Sequence, residues 1–234
     1  MNADTYETRR SEIETYFDRT AADAWSRLTS DAPVSRIRQT VRAGRDEMRN
    51  TLLSWLPEDL RGQRLLDAGC GTGALSVEAA RRGAHVVAID LSPTLIELAR
   101  ERVPAEIGAG SIDFRVGDMS EVAGDDFDHA VAMDSVIHYN AHDAVDVLGR
   151  LAAKVSTSIL FTFAPRTPLL SVLHAVGSLF PRGDRAPSIE PIGEAKLFRQ
   201  LDSADSLQLW QRGRSHCVKS GFYTSQACEL RRSR

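Results

Sequence analysis

Leu66-Asp67-Ala68-Gly69-Cys70-Gly71-Thr72-Gly73 joins a short apolar run to a glycine-rich turn, and its reading decides the fold. Leu65 to Ala68 is short, apolar and followed at once by glycines, the signature of a buried strand turning into a helix. Outward from it the pattern repeats. A helix through Arg82 is followed by a strand from His85 to Leu91, a helix over Thr94 to Val103 and a strand over Ile112 to Val116. Next come a strand over Phe127 to Met133, a helix over Ala141 to Ala153 and a strand over Ser158 to Phe163. Short apolar strands alternating with helices of ten or so residues imply an α/β fold, a parallel sheet with helices on both faces.

The glycine turn is then a ligand site. Gly69 and Gly71 leave the backbone open to a ligand, and a helix N-terminus offers unpaired N–H groups. The spacing is GxGxG rather than the GxGxxG of dinucleotide sites, and Asp67 stands just before it. A carboxylate there repels a pyrophosphate and attracts an ammonium group. Asp90 closes the second strand and Asp118 follows the third, both on the sheet edge where this architecture binds ligands. Asp90 is placed for two ribose hydroxyls and Asp118 for an adenine amino group. A lone aspartate at such a point also serves as a helix N-cap.

The 234 residues carry a net charge of -3 with acids and bases interspersed, a balance that argues against a nucleic-acid binder. Three cysteines, Cys70, Cys217 and Cys228, have no CxxC spacing, so neither a disulfide framework nor a zinc ribbon is expected. That cysteine usage makes a reducing cytoplasm the expected setting; no signal-peptide pattern is seen and no apolar run reaches the ~20 residues of a spanning helix, so no integral membrane protein is expected. Tyr6 to Leu28 has apolar residues at helical spacing, and a second helix near Pro33 aligns Ile37, Val41, Met48, Leu52 and Trp55 on one stripe. The expected organisation is a helical cap over 1–62 and a main domain over 63–234 with a lid insertion at about 166–200. That lid combines an amphipathic helix over Leu169 to Phe180 with the loop Pro181 to Pro191. Two late strands are expected, at Leu207 to Trp210 and Gly221 to Glu229.

The glycine loop with three strand-end acids resembles the class I S-adenosylmethionine-dependent methyltransferases over roughly Arg64 to Phe163. The resemblance implies a Rossmann-like, seven-stranded, mostly parallel sheet with an N-terminal helical lid, and S-adenosylmethionine as methyl donor. Asp67, Gly69, Cys70 and Gly71 match the motif that holds the methionine end of the cofactor. Asp90 matches the ribose-binding acid with Leu91 beside the adenine, and Asp118 with Met119 matches the pair at the adenine edge. Asp134 lies where the family contacts the cofactor and begins its substrate site.

The flanks resemble one group, the magnesium-protoporphyrin IX O-methyltransferases of chlorophyll and bacteriochlorophyll biosynthesis. The matching stretches are Tyr16-Phe17, Trp25-Ser26-Arg27, Leu52 to Leu56, Val136-Ile137-His138-Tyr139, Phe163 to Thr167 and Leu179-Phe180-Pro181. Leu28-Thr29-Ser30 stands where some members carry a tyrosine, so no tyrosine catalyst is expected there. The implied reaction esterifies a propionate of the metalloporphyrin. Its substrate wall is expected from Tyr16, Trp25, Arg42, His138, Tyr139 and His174, with His138 as the residue that orients the carboxylate, Arg42 as a partner of the cofactor carboxylate or of a second propionate unless it is a solvated face, and His174 as a second candidate ligand of the porphyrin magnesium. The alternatives for His138 are axial ligation of the porphyrin magnesium and a strand-end histidine satisfied by backbone groups. A quinone or phenol acceptor, where His138 is a base, and a non-catalytic porphyrin carrier are the rival readings. His138 and His142 share the i, i+4 spacing of a metal pair, but no third ligand is evident and no protein-bound metal is expected. Magnesium chelatase as a transient partner and peripheral membrane contact follow from the resemblance alone.

Overall fold

A computed structural model describes residues 3–16, 29, 33, 35–122, 126–166 and 189–233. Helix α1 (Ala3–Thr15) and helix α2 (Arg36–Trp55) precede strand β1 (Arg64–Ala68), helix α3 (Ala74–Arg81), strand β2 (His85–Asp90), helix α4 (Pro93–Glu101) and strand β3 (Ser111–Val116). Strand β4 (Phe127–Ala132), helix α5 (Ala141–Ala152), strand β5 (Val155–Phe163), helix α6 (Glu194–Ser203), strand β6 (Trp210–Ser220) and strand β7 (Tyr223–Arg232) complete the order. The sheet runs β3-β2-β1-β4-β5-β7-β6. Strands β1 to β5 pair in parallel and β7 runs antiparallel to both β5 and β6. Helices α3, α4 and α5 return the chain between β1 and β2, β2 and β3, and β4 and β5, so that these strands run in parallel.

Burial explains which strands were easy to see. In β1 every residue after Arg64 is buried, and β2 is buried from Val86 to Ile89, so both read as continuous apolar runs. One core layer gathers Leu66, Ile89, Leu148, Phe161 and Phe163, and the other gathers Met48, Leu52, Leu65, Ile96 and Leu160. Strand order reverses between β1 and β4, and a crevice opens there at the carboxyl ends of the strands.

Helix α2 is part of this core. Met48 and Leu52 are fully buried, each worth about 1.5–3 kcal/mol relative to exposure. The expected stripe does not hold along the whole helix: Ile37 is 54% exposed, because the first turn of α2 runs out past the sheet. Further along, Gly44 lets the Tyr223 ring lie against the helix, where a Cβ would sit 2.5 Å from Tyr223 Cδ1.

Of the two late strands, the one expected at Gly221 to Glu229 is β7, and the one expected at Leu207 to Trp210 is displaced. Asp205–Leu207 is a turn of 3-10 helix with Leu207 buried, and the strand starts only at Trp210 and runs to Ser220. β6 is an edge strand whose outward residues are polar, so it lacks the apolar alternation that marks a strand in sequence. The expected lid helix over Leu169 to Phe180 and most of the Pro181 to Pro191 loop lie outside the described residues. The last part of the expected insertion is core structure: Ile192 is buried and bridges to Pro165, and α6 buries Leu197 and Leu201.

Candidate active site

The crevice is a pocket of about 430 Å³, within the range of cofactor and small-ligand sites. Its floor is the turn between β1 and α3. Gly69 has φ +83, and a Cβ there would come within 2.4 Å of Ser135 Cβ, so only glycine fits. The Gly69 and Cys70 N–H groups both donate to the Ile89 carbonyl, at 2.8 and 3.0 Å, and the Gly71 N–H donates to Asp90 Oδ2 at 2.8 Å. The N–H groups of the turn itself are therefore used to hold it against β2.

Asp67, Asp90 and Asp118 all line this pocket, with Leu91 and Met119. Asp67 is 2% exposed and accepts from the Ser76 hydroxyl at 2.5 Å. Burial, with the charge of Asp90 adding to it, pushes its carboxyl up to about 7 despite that hydrogen bond. Asp90 is also raised by burial, while N–H donors from Ser92 and Gly71 oppose the shift. A cationic group entering between these acids relieves both, which is the fit expected of an ammonium with a ribose diol beside it. Burial raises the Cys70 thiol well above its ordinary range, with Asp67 and Asp90 adding to the effect, so it is not a nucleophile.

Asp118 caps the 3-10 turn Met119–Glu121 by accepting from the Ser120 N–H at 2.8 Å. The cap and ligand readings therefore meet in one residue. The Tyr6 hydroxyl lies 2.9 Å from both of its oxygens and donates to the carboxylate, which ties α1 to this side of the pocket. The Tyr6 ring stacks on Tyr139 with centroids 5.2 Å apart. Burial pushes Tyr6 up to about 12 and raises Tyr139 further, so both hydroxyls stay protonated.

The opposite wall is built from distant parts of the chain. Asp134 has φ +54, a conformation rare outside glycine and asparagine. Its carboxylate accepts from Arg45 Nη1 at 2.5 Å, from the Tyr223 hydroxyl at 3.0 Å and from the Ser225 hydroxyl at 3.3 Å. Thr162 Oγ1 accepts from the Asp134 N–H at 2.8 Å. Asp134 thus holds Arg45 at the pocket, and it lines the pocket itself. Arg42 and Arg49 line the same wall, and so do His138 and Tyr139.

His138 is 7% exposed and belongs to the 3-10 turn Val136–His138. His142 is on the first turn of α5, which Asn140 caps, so the i, i+4 pair does not share a helix. Among the described residues, His142, Asp143 and Asp146 bring ligand atoms within 4.8 Å of one another, outside the pocket lining. Tyr16 is half-buried beyond the end of α1, its hydroxyl raised by burial against the nearby charge of Arg38. Thr29 lines the pocket, its hydroxyl accepting from Arg102 at 2.8 Å. The expected substrate residues Trp25 and His174 lie outside the described residues.

The chain is 49% identical over 227 residues to the magnesium-protoporphyrin O-methyltransferase of Rhodobacter capsulatus, covering 97% of this chain and 98% of that one. This chain belongs to that family. Residues 132–232 match the magnesium-protoporphyrin IX methyltransferase C-terminus family, and residues 65–156 match a methyltransferase domain family. The magnesium protoporphyrin IX methyltransferase of Synechocystis PCC 6803, solved with bound SAH, superposes with a TM-score of 0.83 at 28% identity, covering 96% of this chain and 100% of that one. The ubiquinone biosynthesis O-methyltransferase of Methylocella silvestris is 39% identical, but over only 52% of this chain and 51% of its own. The family's fold and its methyltransferase class are thus those read from the glycine loop.

Sequence reasoning missed Tyr6, Arg45 and Tyr223. Arg45 had a signal, its helical spacing from Arg42, whereas nothing local in the sequence marks Tyr6 or Tyr223.

Proposed function

We propose that the chain transfers the methyl group of S-adenosylmethionine to a propionate carboxylate of magnesium-protoporphyrin IX, giving the monomethyl ester in bacteriochlorophyll biosynthesis. The observation that carries this reading is the likeness along almost the whole chain to magnesium-protoporphyrin O-methyltransferases, where the ubiquinone enzymes match only about half. Asp67 would take the ammonium of the donor and Asp90 its ribose hydroxyls. Leu91 and Met119 would flank the adenine, whose amino group would donate to Asp118. When bound, the donor supplies an electrophilic methyl group on a positively charged sulfur.

The acceptor needs little activation. A propionate has a pKa near the ~4.3 of a glutamate and is ionised at neutral pH. The task of the protein is to align carboxylate oxygen, methyl carbon and sulfur and to remove water from the oxyanion. Correct placement of reacting groups recovers about 7–11 kcal/mol of a bimolecular barrier, which makes orientation the leading contribution. Neutralisation of cation by anion in the transition state is further favoured in a dry pocket. His138, buried on the wall between Asp134 and Tyr139, would orient the carboxylate.

The deciding assay incubates the protein with radiolabelled S-adenosylmethionine and either magnesium-protoporphyrin IX or the metal-free porphyrin. Ester formation with a preference for the magnesium form is the expected result, and no ester with either defeats the reading. A chemical step insensitive to pH through the histidine range is expected for a carboxylate acceptor. A steep dependence there points instead to a phenol or quinone deprotonated by His138.

Delivery of a flat, apolar substrate by the magnesium-inserting enzyme makes magnesium chelatase a transient partner in this reading. Among the described residues no helix is long and apolar enough to cross a membrane, so membrane contact is proposed as peripheral. Co-sedimentation with anionic vesicles tests the membrane contact and co-purification with chelatase subunits the partner; no retention in either removes that element.

A further inference from the structure

Arg38, Arg42, Arg45 and Arg49 recur along α2 at spacings of four, three and four residues. On a helix of 3.6 residues per turn these spacings bring all four to one face, spread over ~16 Å of axis. Arg42, Arg45 and Arg49 line the pocket. Arg38 is exposed one turn further out, where its charge acts on Tyr16 at the end of α1. The stripe therefore runs from the site mouth to its interior.

The charges along it are unequal. Inside, Arg49 pairs with Asp46 at 2.9 Å and Arg45 with Asp134 at 2.5 Å. At the mouth, α2 begins Arg36-Ile37-Arg38 with no acidic residue in its first turn. Cations at a helix N-terminus oppose the helix dipole, so this arrangement is locally unfavourable. Neighbouring Ile37 is 54% exposed. Basic and apolar groups together at the mouth suit a ligand that is both flat and anionic.

This inference rests on the function proposed above. Magnesium-protoporphyrin IX carries two propionates, and only one is aligned with the methyl group at a time. Leaving the second unpaired in a dewatered crevice is costly. We propose that Arg42, with Arg38 outside it, binds the propionate that is not being methylated. A guanidinium matches a carboxylate in a two-pronged contact, and the two arginines are ~6 Å apart along the helix, so one can receive what the other releases. The clamp has a consequence for product. After one transfer, the ester must leave and return turned around, with the neutral ester end against the arginines. That pose forfeits the contact, so the arrangement selects the monoester.

The test uses Arg42→Gln, Arg38→Gln, the double variant and Arg42→Lys in the full chain. Two acceptors are compared: magnesium-protoporphyrin IX, and a magnesium porphyrin in which one propionate is a propionamide. Porphyrin binding is read by absorbance titration, turnover by ester formation, and cofactor-site integrity by calorimetry with S-adenosylhomocysteine. The native chain is expected to bind the diacid ~10-fold or more tightly than the amide. Arg42→Gln should lose most of that preference, Arg38→Gln part of it, and Arg42→Lys should keep an intermediate value, with S-adenosylhomocysteine affinity unchanged in all four. A preference intact in the double variant overturns the clamp. So does a loss seen only in S-adenosylhomocysteine affinity, which would assign Arg42 to the donor's own carboxylate. If the native chain forms no ester yet its diacid preference depends on Arg42, the proposed reaction fails and the clamp stands.

Discussion

The two sides of the pocket are built at different sequence distances. On the cofactor floor, Asp67 reaches Ser76 nine residues away and Asp90 reaches Gly71 across 19. On the opposite wall, Arg45 and Tyr223 each meet Asp134 across 89 residues. The floor is set by one strand–helix–strand unit, whose connectivity fixes its geometry. The wall exists only once the helices and the antiparallel strands have packed. Damage to the floor should therefore register in cofactor affinity, and damage to the wall in stability and acceptor use.

The largest effect is expected at the floor. Asp90→Ala removes the acceptor for the Gly71 and Ser92 N–H groups, and the proposed ribose contact with it. S-adenosylhomocysteine affinity should fall by ~100-fold or more, on the basis of two charge-assisted hydrogen bonds. Calorimetry reporting a loss of less than about fivefold would break the contrast between the two sides.

At the wall, Asp134→Ala leaves Arg45, only 20% exposed, without its counter-ion. Denaturant unfolding should show a loss of about 2 kcal/mol, below the cost of a fully buried pair. Catalytic efficiency with the porphyrin should fall more than S-adenosylhomocysteine affinity does. Tyr223→Phe removes one donor to Asp134 and should cost about 1 kcal/mol. Equal losses for both variants would mean that Asp134 is held by its backbone turn and not by this network.

His138→Ala sharpens the division further. Turnover is expected to drop about 10- to 100-fold from lost alignment of the acceptor, with S-adenosylhomocysteine affinity unchanged. Unchanged turnover would leave His138 a structural residue of its 3-10 turn.

Two pH effects are smaller. Asp67, pushed up to about 7 by burial first and Asp90 second, is protonated in much of the empty protein at neutral pH. Its ionised form favours an ammonium, so S-adenosylhomocysteine affinity should strengthen as pH rises through about 7 and weaken by at most ~10-fold per pH unit below it. Asp67→Asn should flatten that slope. The same shift acts oppositely on the empty fold. A carboxyl raised above its unfolded value of ~3.9 contributes stability that is full below that pH and lost as pH rises through about 7. His129 shows the reverse case. It is buried between Gln63 and Ser158, and burial lowers its pKa. Stability should fall as pH drops below the ~6.5 of an unfolded histidine, and His129→Gln should lessen that fall in acid melts.

The same distances explain what could be read beforehand. Strands β1 and β2 were visible because their inner residues are buried on both faces. The glycine loop was visible because its φ values leave few alternatives to glycine. β6 was placed wrongly because an edge strand has one polar side and no apolar alternation. The stripe on α2 was read too far, since periodicity tells which face is apolar and not where the sheet beneath it ends. Arg42 was found but Arg45 was not, although both lie on one helical face, because only packing shows which arginine meets Asp134.

By itself, the sequence determined the parallel sheet, the glycine turn and the strand-end acids that line one pocket, since in a βαβ unit the covalent chain delivers each strand end to the same edge. The family likeness of the flanks named the acceptor, a matter of whole-chain pattern rather than of any one motif. Only the tertiary structure decided that Tyr6 reaches Asp118, that Asp134 anchors Arg45, and that four arginines share one face of α2. Those are contacts between segments far apart in the chain, and a charge acquires its role from the groups that packing brings within hydrogen-bond reach.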